Sequence, residues 1–396
     1  NCRLMSFSEP ASPNKSVGIN DKWFLVSSCL DLKEDVKEDR SAVYQARTSL
    51  LNVKRSTVQN FLQQHSGKLD EHVEELRQLA RSNGGLVHDS LRCIVWPVLA
   101  RHLHAASQKS ADDSVLPEEE LKEEDCNTHQ DWNQVQLDVH RTLARFPPNI
   151  NEEERDELQT QLTPLIVKIL SGRDSFRYYQ GLHDVFLTLL LVVGKEAAEE
   201  IGRHLVHKGV FHDYLCLPLE RGVLKQLELL FVILWRVDPQ LEAILSSANL
   251  SPIFALSWPL TWFSHSLHSY AQIVRVFDAF LAGDPLLPIY LSAACVLFRR
   301  QNILNTEREM PHLHRLLSTM PSELPIDSLL SDALYLARLI PPSLLEGRYA
   351  SEYANRLLGG ERRAPPLLPR FALQAAVVAG AVSAAAGYYF FGRLIV

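Results

Sequence analysis

The chain has 396 residues, 46% hydrophobic and 22% charged, with a formal net charge of −7. That length and apolar content suffice for a sizeable core, in one large domain or two smaller ones, and the negative balance gives no reason to expect nucleic-acid binding. Six cysteines lie scattered without a C-x-x-C spacing, so neither a zinc site nor a disulfide framework is indicated, and a reduced, cytosol-facing compartment is the simpler reading.

Residues 1–45 mix Ser, Asn, Lys and acidic side chains with little periodicity, and 1–60 is expected to be a flexible N-terminal extension. The apolar stretch within Asn1 to Leu4 is too short for a signal peptide. Helical order is predicted to begin near Leu69, where Leu69, Val73, Leu76 and Leu79 recur at three- and four-residue intervals, and Asn83-Gly84-Gly85 supplies a stop. Asp89 is placed to cap the next helix. Between 105 and 128 the composition turns polar and acidic, which predicts a solvated loop.

From Asp131 to Phe146 the apolar positions Trp132, Val135, Val139, Leu143 and Phe146 trace one helical stripe, ended by Pro147-Pro148. Asp138 and Arg141, three apart, share the polar side and are within reach of each other. Read alone, they are an ordinary surface ion pair, worth about 0.3 to 0.5 kcal/mol. Further on, Tyr178-Tyr179-Gln180-Gly181 leads into Leu182 to Val193, an almost wholly apolar segment that should form a buried helix ending at Gly194. Gln180 on such a turn has a rigid base, and Gly181 is expected to let another stretch of backbone approach closely. The plain alternative is that Gln180 only hydrogen-bonds its own turn, with Tyr178 and Tyr179 packing or orienting.

An arginine and a glutamine are the groups that GTP hydrolysis lacks in an isolated GTPase. The first neutralises charge developing on the γ-phosphoryl group, and the second orients the attacking water. The chain has no G-x-x-x-x-G-K-S/T loop of its own; Gly67-Lys68-Leu69 and Gly194-Lys195-Glu196 lack the surrounding pattern. His204, His207 and His212, like His265 and His268, lack a metal-ligand spacing, and Arg275 and Asp278 read as structural.

The order Val135-x-x-Asp138-x-x-Arg141, then Tyr178-x-Gln180, resembles the TBC-domain GTPase-activating proteins that act on Rab GTPases. Gly85-Leu86, Leu91-Arg92, Val95-Trp96-Pro97, Trp258 to Phe263 and Val276-Phe277-Asp278 extend the resemblance over about residues 68–340, although Leu182 and His183 stand where Met and Asn are often found. The resemblance implies an all-α, multi-helical domain over 61–345 that acts as an enzyme activator. Arg141 and Gln180 would be its catalytic fingers, supplied in trans, with Asp138, Tyr178 and Gly181 supporting them. It implies a GTP-bound Rab as partner, with GTP and Mg²⁺ belonging to that partner and no cofactor of its own. The alternative is a non-catalytic, membrane-anchored helical scaffold that binds a Rab or another membrane protein.

Residues 346–370 read as a linker, ending in a Pro- and Arg-rich run. Phe371 to Gly392 then carries no formal charge and, as a helix, is long enough to cross roughly 30 Å of hydrocarbon. It is expected to be a single C-terminal transmembrane anchor with the domain facing the cytosol, since Arg362, Arg363 and Arg370 precede it and only Arg393 follows. Its alanine-rich composition leaves a buried helix or a hairpin-like insertion open. The spacing of Ala376, Gly380 and Ala384 suits weak helix pairing in the membrane. Phe146-Pro147-Pro148, Phe254 to Trp258 and this hydrophobic end resemble a membrane-anchored type within the family, which implies the endoplasmic reticulum and ER-to-Golgi traffic; a modest anchor suits that thin bilayer.

Overall fold

A computed structural model describes residues 39–103, 121–148 and 150–359, and every regular element among them is helical. The longer helices are α1 (Asp39–Gln64), α2 (Val73–Arg81), α3 (Asp89–Arg101), α4 (Trp132–Leu143), α5 (Glu152–Ser171), α6 (Leu182–Val193), α7 (Lys195–His207) and α8 (Phe211–Cys216). They continue with α9 (Val223–Val237), α10 (Pro239–Ser247), α11 (Tyr270–Leu281), α12 (Leu287–Phe298), α13 (Met310–Ser318), α14 (Ile326–Leu339) and α15 (Ala350–Leu357).

The apolar periodicities sort these helices by depth. Every residue of α6 is buried, as its unbroken apolar run requires, and it packs against α4, α5 and α7. A second layer is built where α12 lies between α9 and α14. In α4 the four-residue series Val135, Val139 and Leu143 faces inward, and the chain turns off at Ala144 before the two prolines. A capping box starts α5: the Asn151 side chain accepts from the Glu154 amide at 2.7 Å, and Glu154 accepts from the Asn151 amide at 3.1 Å.

The early and late segments are tied together by buried charge. Asp278 on α11 accepts from the Leu86 amide at 3.0 Å, from Arg92 Nε at 2.9 Å and Nη2 at 3.0 Å, and from Trp96 Nε1 at 2.8 Å. Arg92 also donates to Asp89 Oδ1 at 2.8 Å, and Tyr270 donates to Asp89 Oδ2 at 2.8 Å. Burial opposes the charge on Arg92, but Asp278 and Asp89 outweigh it and push its pKa above the ordinary value. Gly85, in a left-handed conformation at φ +56°, lies so close to the Asp278 carboxylate that a Cβ would collide with it. Arg275 meanwhile donates to Asp327 Oδ1 at 2.7 Å and to the carbonyls of Ala80, Arg81 and Ser82, closing the end of α2.

Four expectations change. Residues 1–60 are not all extension, because α1 begins at Asp39, where the polar composition hid a helix anchored by Val58 and Leu62 and by Lys54 donating to the Leu79 carbonyl at 3.0 Å. Asp89 does not cap α3; His88 does, accepting from the Ser90 amide at 3.2 Å, while Asp89 turns inward to Arg92. The acidic loop is not solvated throughout, since its end, Glu123–Thr128, is a short 3-10 helix with Cys126 buried; 104–120 lies outside the described residues. The linker does not start at 346, because Leu345–Tyr349 and α15 continue the helical array, with Tyr353 donating to buried Glu242 at 2.8 Å. Among the described residues no single helix is long and apolar enough to cross a membrane, and the segment 371–392 lies outside them.

Candidate functional site

Arg141 stands on the last turn of α4 with 59% of its side chain exposed, while Asp138, one turn back, is exposed by only 1%. Arg141 Nη1 donates to Asp138 Oδ1 at 3.3 Å. The pair is therefore an exposed cation on a buried root, not two solvated charges. Asp138 Oδ2 accepts from Gln134 Nε2 at 3.0 Å and from the Tyr178 hydroxyl at 3.2 Å. One carboxylate thus holds the arginine of the first motif and a tyrosine of the second, 40 positions away.

The segment that carries Gln180 is pinned at several points. The Tyr178 amide donates to Asp131 Oδ2 at 3.2 Å, just ahead of α4. The Tyr179 hydroxyl donates to the Leu260 carbonyl at 3.0 Å, and the Arg177 amide to the Leu215 carbonyl at 3.0 Å. Gly181 then adopts φ +113°, and a Cβ there would meet Thr261 Cγ2 at 2.8 Å. The close neighbour is thus a threonine side chain and not the backbone expected from the sequence. Gln180 sits exposed between these anchors, at the start of α6.

Beneath the turn lies a polar network that the sequence reading missed. His183 Nδ1 is 2.6 Å from the Tyr178 hydroxyl and its Nε2 is 2.9 Å from Thr142 Oγ1. Thr142 donates to Asp184 Oδ1 at 3.1 Å, and His265 Nδ1 is 2.9 Å from Asp184 Oδ2. Burial, followed by the charges of Asp138 and Asp184, raises the Tyr178 pKa well above a phenol's usual range, so its hydroxyl stays a donor. Burial lowers the pKa of His183 against the pull of Asp184 and Asp138. Asp184 is desolvated, yet the His265 hydrogen bond and the His183 charge carry its pKa below the ordinary value, and the bond to Asp184 raises that of His265. Thr142 and Asp184 carry no signal in sequence, being polar residues within apolar stripes; His183 is visible there only as a departure from the family pattern, and His265 only as one of two unconvincing metal ligands.

The arrangement offers an exposed guanidinium and an exposed carboxamide on rigid bases, with two acidic groups beneath them already engaged. Such a surface can stabilise developing negative charge and orient a water without itself binding a nucleotide. Among the described residues the group able to hold a cation by proximity is Glu307, Glu309 and His312, which lies on neither the Arg141 helix nor the Gln180 turn.

Comparison with known proteins places the chain in a family. The Rab-GTPase-TBC domain family matches residues 89–304. TBC1 domain family member 20 from Homo sapiens is 38% identical over 284 residues, covering 71% of this chain and 66% of its own length. The GTPase-activating protein gyp10 from Schizosaccharomyces pombe is 29% identical over 286 residues, covering 70% of this chain and 72% of the relative. The crystal structure of the Ypt/Rab-GAP domain of Gyp1p superimposes with a TM-score of 0.52 at 17% identity, covering 72% of this chain and 98% of that domain, a likeness of fold. The chain spans 66% of the length of the member 20 relatives it matches. With more than half of its residues inside the family match, and α4 and the α6 turn both within it, the chain belongs to the Rab-GTPase-TBC domain family.

Proposed function

We propose that this protein accelerates GTP hydrolysis by a Rab GTPase, with Arg141 and Gln180 acting in trans as complementary catalytic fingers. One observation carries the reading: the buried Asp138 carboxylate holds both Arg141 and, through Tyr178, the turn that bears Gln180. The GTP-bound Rab supplies nucleotide and Mg²⁺. Arg141 neutralises charge on the transferring phosphoryl group, and the Gln180 carboxamide aligns the water. An arginine finger contributes about 10³ to 10⁵ in rate, on the order of 4 to 7 kcal/mol of transition-state stabilisation.

The substrate in this reading is a Rab of ER-to-Golgi traffic, and the uncharged segment 371–392 tethers the domain to the cytosolic face of the endoplasmic reticulum. The likeness to TBC1 domain family member 20 and the composition of that segment support this. Tethering raises the effective concentration of the activator against a lipidated Rab.

The test is single-turnover GTP hydrolysis across a Rab panel with the wild type, Arg141→Ala and Gln180→Ala. Acceleration of one or a few Rabs, lost in both variants while binding persists, is the expected result and names the substrate. Binding without acceleration by the folded wild type would replace this reading with that of a non-catalytic scaffold.

A further inference from the structure

We infer that Arg145 and His265 form a second contact on the finger surface, where together they grip one carboxylate of the docked Rab. The inference rests on the reading of this protein as a Rab GTPase activator and deepens it. Arg141 is directed at the phosphate, whereas this pair recognises the GTPase itself.

His265 repeats the design of Arg141. Its Nδ1 lies 2.9 Å from Asp184 Oδ2, and the Asp184 side chain is exposed by only 8% while that of His265 is exposed by 48%. An ionised carboxylate only accepts, so Nδ1 bears hydrogen and the bond fixes the ring. Nε2, on the far side of the imidazole, meets no hydrogen-bond partner among the described residues. The Asp184 behind it belongs to the same network as Asp138, joined through Tyr178, His183 and Thr142. His265 is tied to the Gln180 turn as well: its amide donates to Thr261 Oγ1 at 3.3 Å, and Thr261 is the residue that abuts Gly181.

Arg145 stands just past the end of α4, exposed, and its side chain makes no hydrogen bond or ion pair among the described residues. Its charge nonetheless acts on His265 and on His183, so the guanidinium lies beside this network. The charged groups facing the His265 ring are thus Asp184 and His183 from α6 and Arg145 from the end of α4. Asp184 is already engaged by Nδ1–H and Thr142. Two cationic tips therefore share the surface with neither outward edge paired to an acid, and an anion from outside relieves their repulsion. In a docked Rab that anion is a carboxylate of the protein, because the phosphate is met by Arg141. Protonated Nε2–H and the guanidinium each give it a charge-assisted hydrogen bond. The Asp184 bond raises the pKa of His265 against burial and Arg145, so the gripping form prevails below 6.5 and is lost as pH rises through the raised value.

The experiment measures binding of the full chain to a panel of Rabs loaded with a non-hydrolysable GTP analogue, beside single-turnover hydrolysis of the GTP-loaded forms. Wild type, His265→Gln, Arg145→Gln and the double variant are compared across pH and salt, with urea midpoints confirming that each is folded. Glutamine at 265 keeps a donor for Asp184 but takes no charge, and Arg145 has no polar contact within the protein to lose. Below 6.5 each single variant should bind about tenfold more weakly, as suits loss of one charge-assisted hydrogen bond, and KM should rise by the same factor. Taken as a ratio to wild type, the His265→Gln loss should close as pH rises, the Arg145→Gln loss should persist, and both should shrink in high salt. The double variant should lose less than the product of the two, because a carboxylate released by one group is no longer held for the other.

A His265→Gln loss of the same size at every pH, losses that multiply, or a loss confined to kcat with binding unchanged would each overturn the inference. The last would mean that the pair faces the phosphate. If a Rab binds with the expected pattern but is not accelerated, the finger mechanism is what fails and this contact stands. If a Rab is accelerated through Arg141 and Gln180 while its binding ignores both substitutions, the contact fails and the fingers stand. If no Rab binds at all, both fail.

Discussion

Asp278 and Asp138 are both buried carboxylates that accept several hydrogen bonds, yet one is enclosed on every side and the other opens to the surface. The donors to Asp278, from Leu86, Arg92 and Trp96, are themselves buried, and they join segments 192 positions apart. Asp138 is as deeply placed, but one of its donors is Arg141, whose guanidinium faces solvent. Burial of an aspartate therefore does not mark a site by itself. What distinguishes the second cluster is a partner that leads outward, from a buried carboxylate to a solvent-facing guanidinium.

The largest test of this contrast is Arg141→Lys. Lysine keeps the charge but loses the planar fork, so under the proposed mechanism the acceleration of GTP hydrolysis by a Rab should drop by about 10³ or more. Thermal stability should stay within about 0.5 kcal/mol, since lysine keeps the charge at a side chain that is mostly exposed. Equal losses in stability would show that the open cluster is structural after all.

Asp278→Asn should do the reverse. Leaving Arg92 buried without its main counter-charge costs about 3 to 5 kcal/mol, read as a lowered urea midpoint. A variant as stable as the wild type would remove the enclosed cluster from the account of what holds α3 to α11.

Gly181→Ala lies between the two. The left-handed backbone and the Thr261 contact make alanine cost about 1 to 3 kcal/mol, and the displaced turn should lower kcat more than it raises KM. Unchanged kcat would mean that Gln180 does not depend on the exact path of this turn.

The smallest effect is expected at His265. Its pKa is raised, chiefly by the hydrogen bond to Asp184, so its stabilising contribution is fully present below 6.5 and is lost as pH rises through the raised value. The stability gap between wild type and His265→Gln should narrow as pH rises above 6.5 in urea melts, modestly because the ring is half exposed. A gap that widens would reverse the sign assigned to this contact.

Much of the site's first layer could be read from the chain. The spacing of Asp138 and Arg141 forecasts their contact, and the apolar run after Gly181 forecasts a rigid helix behind Gln180. The layer beneath could not be read, because His183 and Thr142 lie 41 positions apart and meet only when α4 and α6 pack. Polar residues inside apolar stripes look like interruptions until their partners are seen. The fold was legible where periodicity is strong, as in α4 and α6. It was not in α1, whose buried face consists of a few residues held by contacts made elsewhere, such as Lys54 with Leu79. Asp89 shows the same limit from the other direction: local sequence favours a cap, and a guanidinium brought close by the same helix wins.

The fixed root and solvent-facing tip of Arg141 also have a consequence in time. Reorientation of an exposed side chain takes picoseconds to nanoseconds, whereas docking, closure of loops and release of a partner occupy microseconds or longer. With its base already set during folding, the guanidinium can sample its whole reachable cone many times during a single collision with a GTPase. Under the proposed finger mechanism the search for the phosphate then adds no delay to each encounter, and the tempo of turnover is left to the rearrangements of the partner.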